Sequence, residues 1–237
     1  MIDLHCHLLP GVDDGPATMD ESVDYALTAA RAGTDRIVAT PHVEHVDVAE
    51  LPARVDELRS ALVETGVDLR VDCGGELKPY SIPSLSDAEL ETIAHGPAGR
   101  RWVLLEVPFR GLGQELLEAA DELRARGFTP LLAHPERARR FGDSVPELRE
   151  QLERGAAIQM NVGPLTGAES RERRDAALRL LGSGLPTALA TDAHPPHRPY
   201  TLEQGRVLAI EAGASEADAA RLVDAAPLTL LTHGLGF

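Results

Sequence analysis

Cysteine is scarce: Cys6 and Cys73 are the two thiols in 237 residues and form no CxxC pair. A disulfide framework and a thiolate zinc knuckle are both excluded, and a reducing, cytoplasmic setting is expected. Aromatics make up 3% of the chain, with Trp102 the single tryptophan, so stacking platforms for single-stranded nucleic acid are poorly supplied. Positive charge is also short, with 23 Lys and Arg against 38 Asp and Glu for a net charge of −15. That balance argues against nucleic acid as a main partner. No apolar run approaches the ~20 residues of a bilayer span, and no Lys or Arg precedes the first strand pattern as in a secretory leader. No stable membrane insertion is expected.

What is present is alternation. Seven short aliphatic runs, roughly Ile2 to His7, Arg36 to His42, Leu69 to Leu77, Trp102 to Val107, Thr129 to His134, Ala157 to Val162 and Thr187 to His194, are separated by stretches of helical spacing. The clearest helical stretches are Met19 to Ala32, Glu50 to Thr65, Gly113 to Arg126, Glu169 to Leu181 and Thr201 to Ala212. Thr18 and Thr201 can cap helices, and Gly33, Gly66, Gly127 and Gly182 stand at expected helix ends. This is the pattern of parallel βα units. No linker divides the chain, so residues 1–237 are expected to form one domain, an α/β barrel one unit short of eight or a doubly wound open sheet.

Histidines and carboxylates gather at the carboxyl ends of these runs, where barrel active sites are assembled: His5, His7, His42, Glu76, Glu106, His134, Asp192 and His194. Residues i and i+2 of a strand share a face, so His5 with His7, and Asp192 with His194, can each present two ligands together. Asp14, in the Val12-Asp13-Asp14-Gly15 turn, can join them. Imidazole with carboxylate suits zinc, iron or manganese. Against the four carboxylates of this set, three divalent ions would leave about +2, a centre that attracts a phosphate ester and lowers the pKa of bound water towards ~7. Arg137 and Arg198 follow His134 and His194 closely, and their guanidinium forks match phosphate oxygens.

These segments resemble the polymerase-and-histidinol-phosphatase (PHP) superfamily, and within it the bacterial capsule-associated tyrosine phosphatase branch. The resemblance runs through Asp3-Leu4-His5-Cys6-His7, Asp13-Asp14-Gly15-Pro16, Thr40-Pro41-His42, Gly75-Glu76-Leu77, Leu105-Glu106-Val107-Pro108-Phe109, Ala133-His134-Pro135-Glu136-Arg137, Gln159-Met160-Asn161-Val162-Gly163 and Thr191-Asp192-Ala193-His194. It implies a distorted, TIM-like (β/α)7 barrel with a three-ion centre, most often manganese with iron or zinc as alternatives, at the carboxyl ends of its strands. The implied ligands are His5, His7, Asp14, His42, Glu76, Glu106, His134, Asp192 and His194, with Glu106 bridging. Arg137 and Arg198 would stabilise phosphate, and His42 could assist the leaving group. The implied activity is hydrolysis of phosphotyrosine by a metal-activated hydroxide, on the tail of a bacterial tyrosine kinase that controls capsular or exopolysaccharide synthesis. Two departures stand out: Ala138 follows Arg137 where the family often has an aromatic residue, and Thr191 replaces a common Ser.

Plainer readings sit beside these. Asp13 is expected as a turn former or partner of a ligand, and Cys6 as an outward core residue. His45 and His197 are expected in solvent, and His95 and His233 at the surface or in packing. An ion pair with Glu136 or Asp143 is the bland alternative for Arg137, and Asn161 could orient a ligand. A cysteine phosphatase is excluded, because the sixth residue after Cys6 is Val12 and after Cys73 is Pro79, not Arg. The competing functions are a phosphoesterase for a small metabolite such as histidinol phosphate, a non-catalytic module docking a kinase tail, and, more remotely, a DNA exonuclease. A homo-oligomer is compatible with the sequence.

Overall fold

The apolar runs become short parallel strands because, in all but the edge strand at Arg70–Cys73, both faces are largely covered, which removes the need for alternation with polar residues. They are β1 (Ile2–Cys6), β2 (Arg36–Ala39), β3 (Arg70–Cys73), β4 (Glu76–Leu77), β5 (Trp102–Glu106), β6 (Thr129–Ala133), β7 (Ala157–Asn161) and β8 (Ala188–Ala190). The helices are α1 (Met19–Arg31), α2 (Leu51–Thr65), α3 (Asp87–Ile93), α4 (Gln114–Ala125), α5 (Val145–Glu153), α6 (Val162–Thr166), α7 (Arg171–Gly182), α8 (Leu202–Glu211), α9 (Glu216–Val223) and α10 (Ala225–His233). The structure is a computed structural model describing residues 1–139, 141–185 and 187–236; the side chains of Asp143 and Ser144 lie outside the described set.

Helical spacing buries one stripe per helix: Tyr25, Ala26 and Ala29 on α1, and Leu51, Val55, Leu58 and Leu62 on α2. Thr18 and Thr201 cap α1 and α8 by accepting the Glu21 and Gln204 amides, each at 3.3 Å. Helix α7 ends at Gly182, as expected, and a left-handed turn follows at Gly184, φ 68°.

All ladders are parallel, in two sheets of order β1-β2-β3 and β4-β5-β6-β7-β8. The run from Leu69 to Leu77, expected as one strand, is split at Gly74 and Gly75. A Cβ there would lie 2.6 Å from Val38 Cγ1 and 2.8 Å from Val43 Cγ1, so only glycine lets the chain cross this close to its neighbours. The ladders therefore do not form a closed barrel. Their edges meet through isolated bridges, His42 with Glu76 and Cys6 with Ala193, supported by Asp192 N–H to His5 O at 2.8 Å and His7 N–H to Ala193 O at 3.0 Å.

Ile2, Leu4, Val38, Trp102, Leu104, Leu131, Ala157 and Ala188 form an inner cluster with Leu230 of α10. Trp102 Nε1 donates to Leu230 O at 2.8 Å, tying α10 across the amino ends of the strands. Cys6 belongs instead to the outer layer beneath the helices. Strict alternation would send Leu4 and His5 to opposite faces. The β1–β2 register shifts between Asp3 and Cys6, and this irregularity lets both Leu4 and the His5–His7 pair face inward.

Candidate metal centre

Nine residues from six strands and the turns that follow them converge at the carboxyl side of the sheets. Four overlapping sets each place one donor atom per residue within 4.8 Å of the others: His7, Asp14, His42 and His194; His5, His134 and Asp192; His5, His7 and Glu76; His42, Glu76 and Glu106. Together they contain the nine side chains named as ligands from sequence. The i, i+2 spacing puts His5 and His7 on one face, which the irregularity in β1 turns inward; Asp192 and His194 lie beyond β8, which ends at Ala190. Asp192 turns inward through φ 47°, and His134, just beyond β6, through φ 38°. Left-handed backbone at two non-glycine residues costs about 1–3 kcal/mol each and is typical of functional sites.

Glu76 is the hub. It is 1% exposed and lies 3.4 Å from His5 Nε2, 3.3 Å from His7 Nε2, 3.1 Å from His42 Nδ1 and 3.0 Å from His134 Nε2. Asp192 Oδ1 is 3.4 Å from His5 Nε2, and Asp14 Oδ1 is 3.1 Å from His194 Nε2. Donor atoms sharing an ion at ~2.1 Å stand ~3.0–3.4 Å apart in octahedral or tetrahedral geometry, the same spacing. His42 Nδ1, His134 Nδ1 and His194 Nε2 are buried without a hydrogen-bond partner. Orphaned imidazole nitrogens beside carboxylates, at separations set by a shared centre rather than by hydrogen-bond angles, are what a cation would satisfy.

An outer layer fixes the rings. His7 Nδ1 bonds Asp13 Oδ2 at 2.6 Å, His5 Nδ1 bonds Gln159 Oε1 at 2.9 Å, and His194 Nδ1 bonds Asp192 O at 2.9 Å. Each contact places the proton on Nδ1 and leaves the Nε2 lone pair for the centre. Gln159 continues to Asn161 Oδ1 at 2.7 Å, and Asn161 Nδ2 to Asp192 Oδ2 at 2.6 Å. Gln159 and Asn161 share a strand face, so their spacing carried a signal; only Asn161 was singled out from it.

Electrostatics follow from this crowding. Burial opposes charge on Glu76 and Asp192, yet the surrounding imidazoles hold both well below the usual carboxylate range, with Arg137 adding to the pull on Asp192. Burial, with Glu76 adjacent, pushes Glu106 up to about 7. Burial likewise lowers His42 and His134, keeping them neutral. The His194 imidazole 3.1 Å away holds Asp14 down even though the Asp14 side chain is 66% exposed.

Arg137 pairs with neither Glu136 nor a surface group: its Nη1 donates to Asp192 Oδ2 at 2.7 Å, with Glu169 farther off at 3.9 Å. Asp143, the other expected partner, is outside the described side chains. Arg137 and Arg198 line a cavity of about 250 Å³ with Asp14, His42, Glu106 and Asp192. Lys78 and Phe109 also line it; neither was singled out as a site residue from sequence, Lys78 directly following β4 and Phe109, the last residue of the Leu105–Phe109 motif, lying three residues past β5 with no spacing to mark it. His45, His197 and His233 are exposed.

The family model of capsular polysaccharide synthesis, CpsB/CapC, matches residues 1–231. The chain is 32% identical over 198 residues to the tyrosine-protein phosphatase YwqE of Bacillus subtilis, covering 82% of this chain and 77% of that protein. It is 25% identical over 230 residues to the tyrosine-protein phosphatase CpsB of Streptococcus pneumoniae, covering 92% and 93%. A crystal structure from work on YwqE and CpsB, described as unique metal-dependent tyrosine phosphatases, superposes with a TM-score of 0.83 at 29% identity over 98% of this chain and 94% of that one. A phosphotriesterase homology protein of Escherichia coli shares the fold alone, with a TM-score of 0.63 at 15% identity over 95% and 96%.

Proposed function

The chain belongs to the CpsB/CapC family of capsular polysaccharide synthesis, and on that premise we propose that it is a metal-dependent tyrosine-protein phosphatase. The observation that carries this reading is the convergence of His5, His7, Asp14, His42, Glu76, Glu106, His134, Asp192 and His194, of which all but the buried His5 and His7 line one cavity with Arg137. We assign these nine side chains as ligands of a three-ion centre, manganese in the first instance. The family model's match over residues 1–231 supports a single domain. The phosphotyrosine tail of a bacterial tyrosine kinase is the proposed substrate, acting in capsular or exopolysaccharide synthesis. The free thiols of Cys6 and Cys73 support a cytoplasmic setting, and no helix among the described residues is long and apolar enough to cross a membrane.

Divalent ions bound here would supply Lewis acidity and a water activated at neutral pH. The rest falls to the chain. Asp192 fixes the Arg137 guanidinium at 2.7 Å, so a phosphate entering the cavity meets a preorganised fork rather than a mobile side chain. Arg198, partly exposed at the rim, closes on the opposite oxygens. Two cations then oppose the charge that spreads over the nonbridging oxygens in the transition state. A phenolate leaves more readily than an alkoxide, so the neutral His42 needs to donate no proton. Cys6 is buried in the outer layer and its thiol is pushed far above the usual value by burial, which removes it as a nucleophile.

The test compares a phosphotyrosine peptide with histidinol phosphate, with and without chelator. Chelator-sensitive turnover of the peptide in clear preference supports the reading; preference for histidinol phosphate replaces it with the metabolite enzyme. No turnover of either substrate by the metal-loaded protein leaves the docking module.

A further inference from the structure

We propose that Phe109 is the platform against which the substrate's aromatic ring rests, so that this residue selects aryl over alkyl phosphate monoesters; the inference rests on the phosphatase reading above. Phe109 lies three residues beyond Glu106, on the loop leaving β5. It lines the cavity that holds Glu106, His134, Arg137 and Asp192, and among the described residues it is the one phenyl, phenol or indole ring to do so. Trp102, Phe128, Phe141 and Tyr25 are buried in the core, whereas Phe109 is 44% exposed. In a chain this poor in aromatics, a phenyl ring left 44% exposed at the mouth of a polar cavity offers apolar surface for a ligand to cover.

The ring is also held. The guanidinium carbons of Arg137 and Arg173 stand 5.1 Å and 5.3 Å from its centroid, within cation–π range. The backbone N–H of Arg139 donates to Phe109 O at 2.7 Å, tying the β5 loop to the segment after His134. Because Arg137 also reaches Asp192, the position of the phenyl is coupled to that of the phosphate clamp. A phosphate gripped by Arg137 projects its ester group towards the cavity mouth, where Phe109 offers its exposed surface. A tyrosyl ring there gains an offset or edge-to-face contact that an alkyl group cannot make. Beyond the ring, a groove of about 360 Å³ shares Phe109 and Arg137 as walls and leaves room for the chain carrying the tyrosine.

The test is calorimetric titration of the manganese-loaded protein with phenylphosphonate and methylphosphonate, which share the anionic head and differ in the ring. The wild type should bind the phenyl compound about tenfold more tightly. Phe109→Ala and Phe109→Leu should each reduce that ratio to about twofold or less, and Phe109→Tyr should keep it. Displacement of Arg137 through loss of its ring contact would weaken both ligands together, so the ratio isolates the platform. A ratio unchanged in both variants, or no wild-type preference, overturns the inference. Absence of phosphotyrosine turnover, measured separately, overturns the function it rests on, and the two failures are told apart because the phosphonates need no chemistry.

Discussion

Asp13→Asn tests whether protons and metal ions compete for the same imidazole. Asp13 Oδ2 accepts from His7 Nδ1 at 2.6 Å and from the His42 amide at 2.9 Å, while Oδ1 accepts from the Gly15 amide at 3.0 Å. An asparagine has one oxygen for three donors and turns its NH2 against an N–H. Burial opposes charge on His7, but the hydrogen bonds to Asp13 and Glu76 outweigh it and push its pKa up to about 10. Before Nε2 can serve a cation, that proton must leave. At pH 7 the removal spans about three pH units, roughly 4 kcal/mol, and the cost vanishes as pH rises through 10. Wild-type metal affinity should therefore rise about tenfold per pH unit from this one proton, and more steeply if His5, also raised by Glu76 and Asp192 against its burial, releases a second. Without the Asp13 carboxylate the His7 pKa falls, so the slope flattens. The lost orienting contact separately weakens the fully deprotonated site by about 10- to 100-fold. Manganese titrations between pH 6.5 and 8.5, in two buffers of different ionisation enthalpy, read both the slope and the protons released. Equal slopes and equal proton counts in the two proteins would refute the competition.

Three further outcomes follow from the same geometry. Arg137→Ala should lower kcat for p-nitrophenyl phosphate by about 10²–10³-fold with bound metal unchanged, measured by steady-state kinetics beside metal analysis; parallel loss of metal would assign Arg137 to holding Asp192 instead. The Nε2 of His95 is buried beside Trp102, and burial lowers its pKa to about 4. The unfolded chain takes up that proton first, so its stabilising contribution is complete above pH ~6.5 and lost as pH falls towards 4, up to about 3 kcal/mol; His95→Leu should abolish this part of the acid sensitivity in urea unfolding. Gly205 packs inside α8 against Val162, and an added Cβ would collide with a rigid Val162 methyl. Gly205→Ala should therefore destabilise by about 1–3 kcal/mol in spite of better helix propensity, seen as a fall in Tm.

The periodicity of the sequence determined the order of strands and helices, because each run is short, aliphatic and bounded by Gly or a capping Thr. The strand-end position of His5, Glu76, Glu106 and Asp192 is equally local, so the composition of the site was legible too. Other features depend on contacts between distant segments. The break at Gly74 and Gly75 answers to Val38 and Val43, which no local pattern announces. The inward turns of His134 and Asp192 are left-handed kinks imposed by their surroundings, not by alternation. Arg137 found Asp192 rather than a neighbour along the chain, and Phe109 became a wall of the cavity only because Arg137, Arg139 and Arg173 hold its loop. Local chemistry chooses which groups are present; packing across the fold decides where each one points, because the free energy that fixes a direction is spread over residues far apart in sequence.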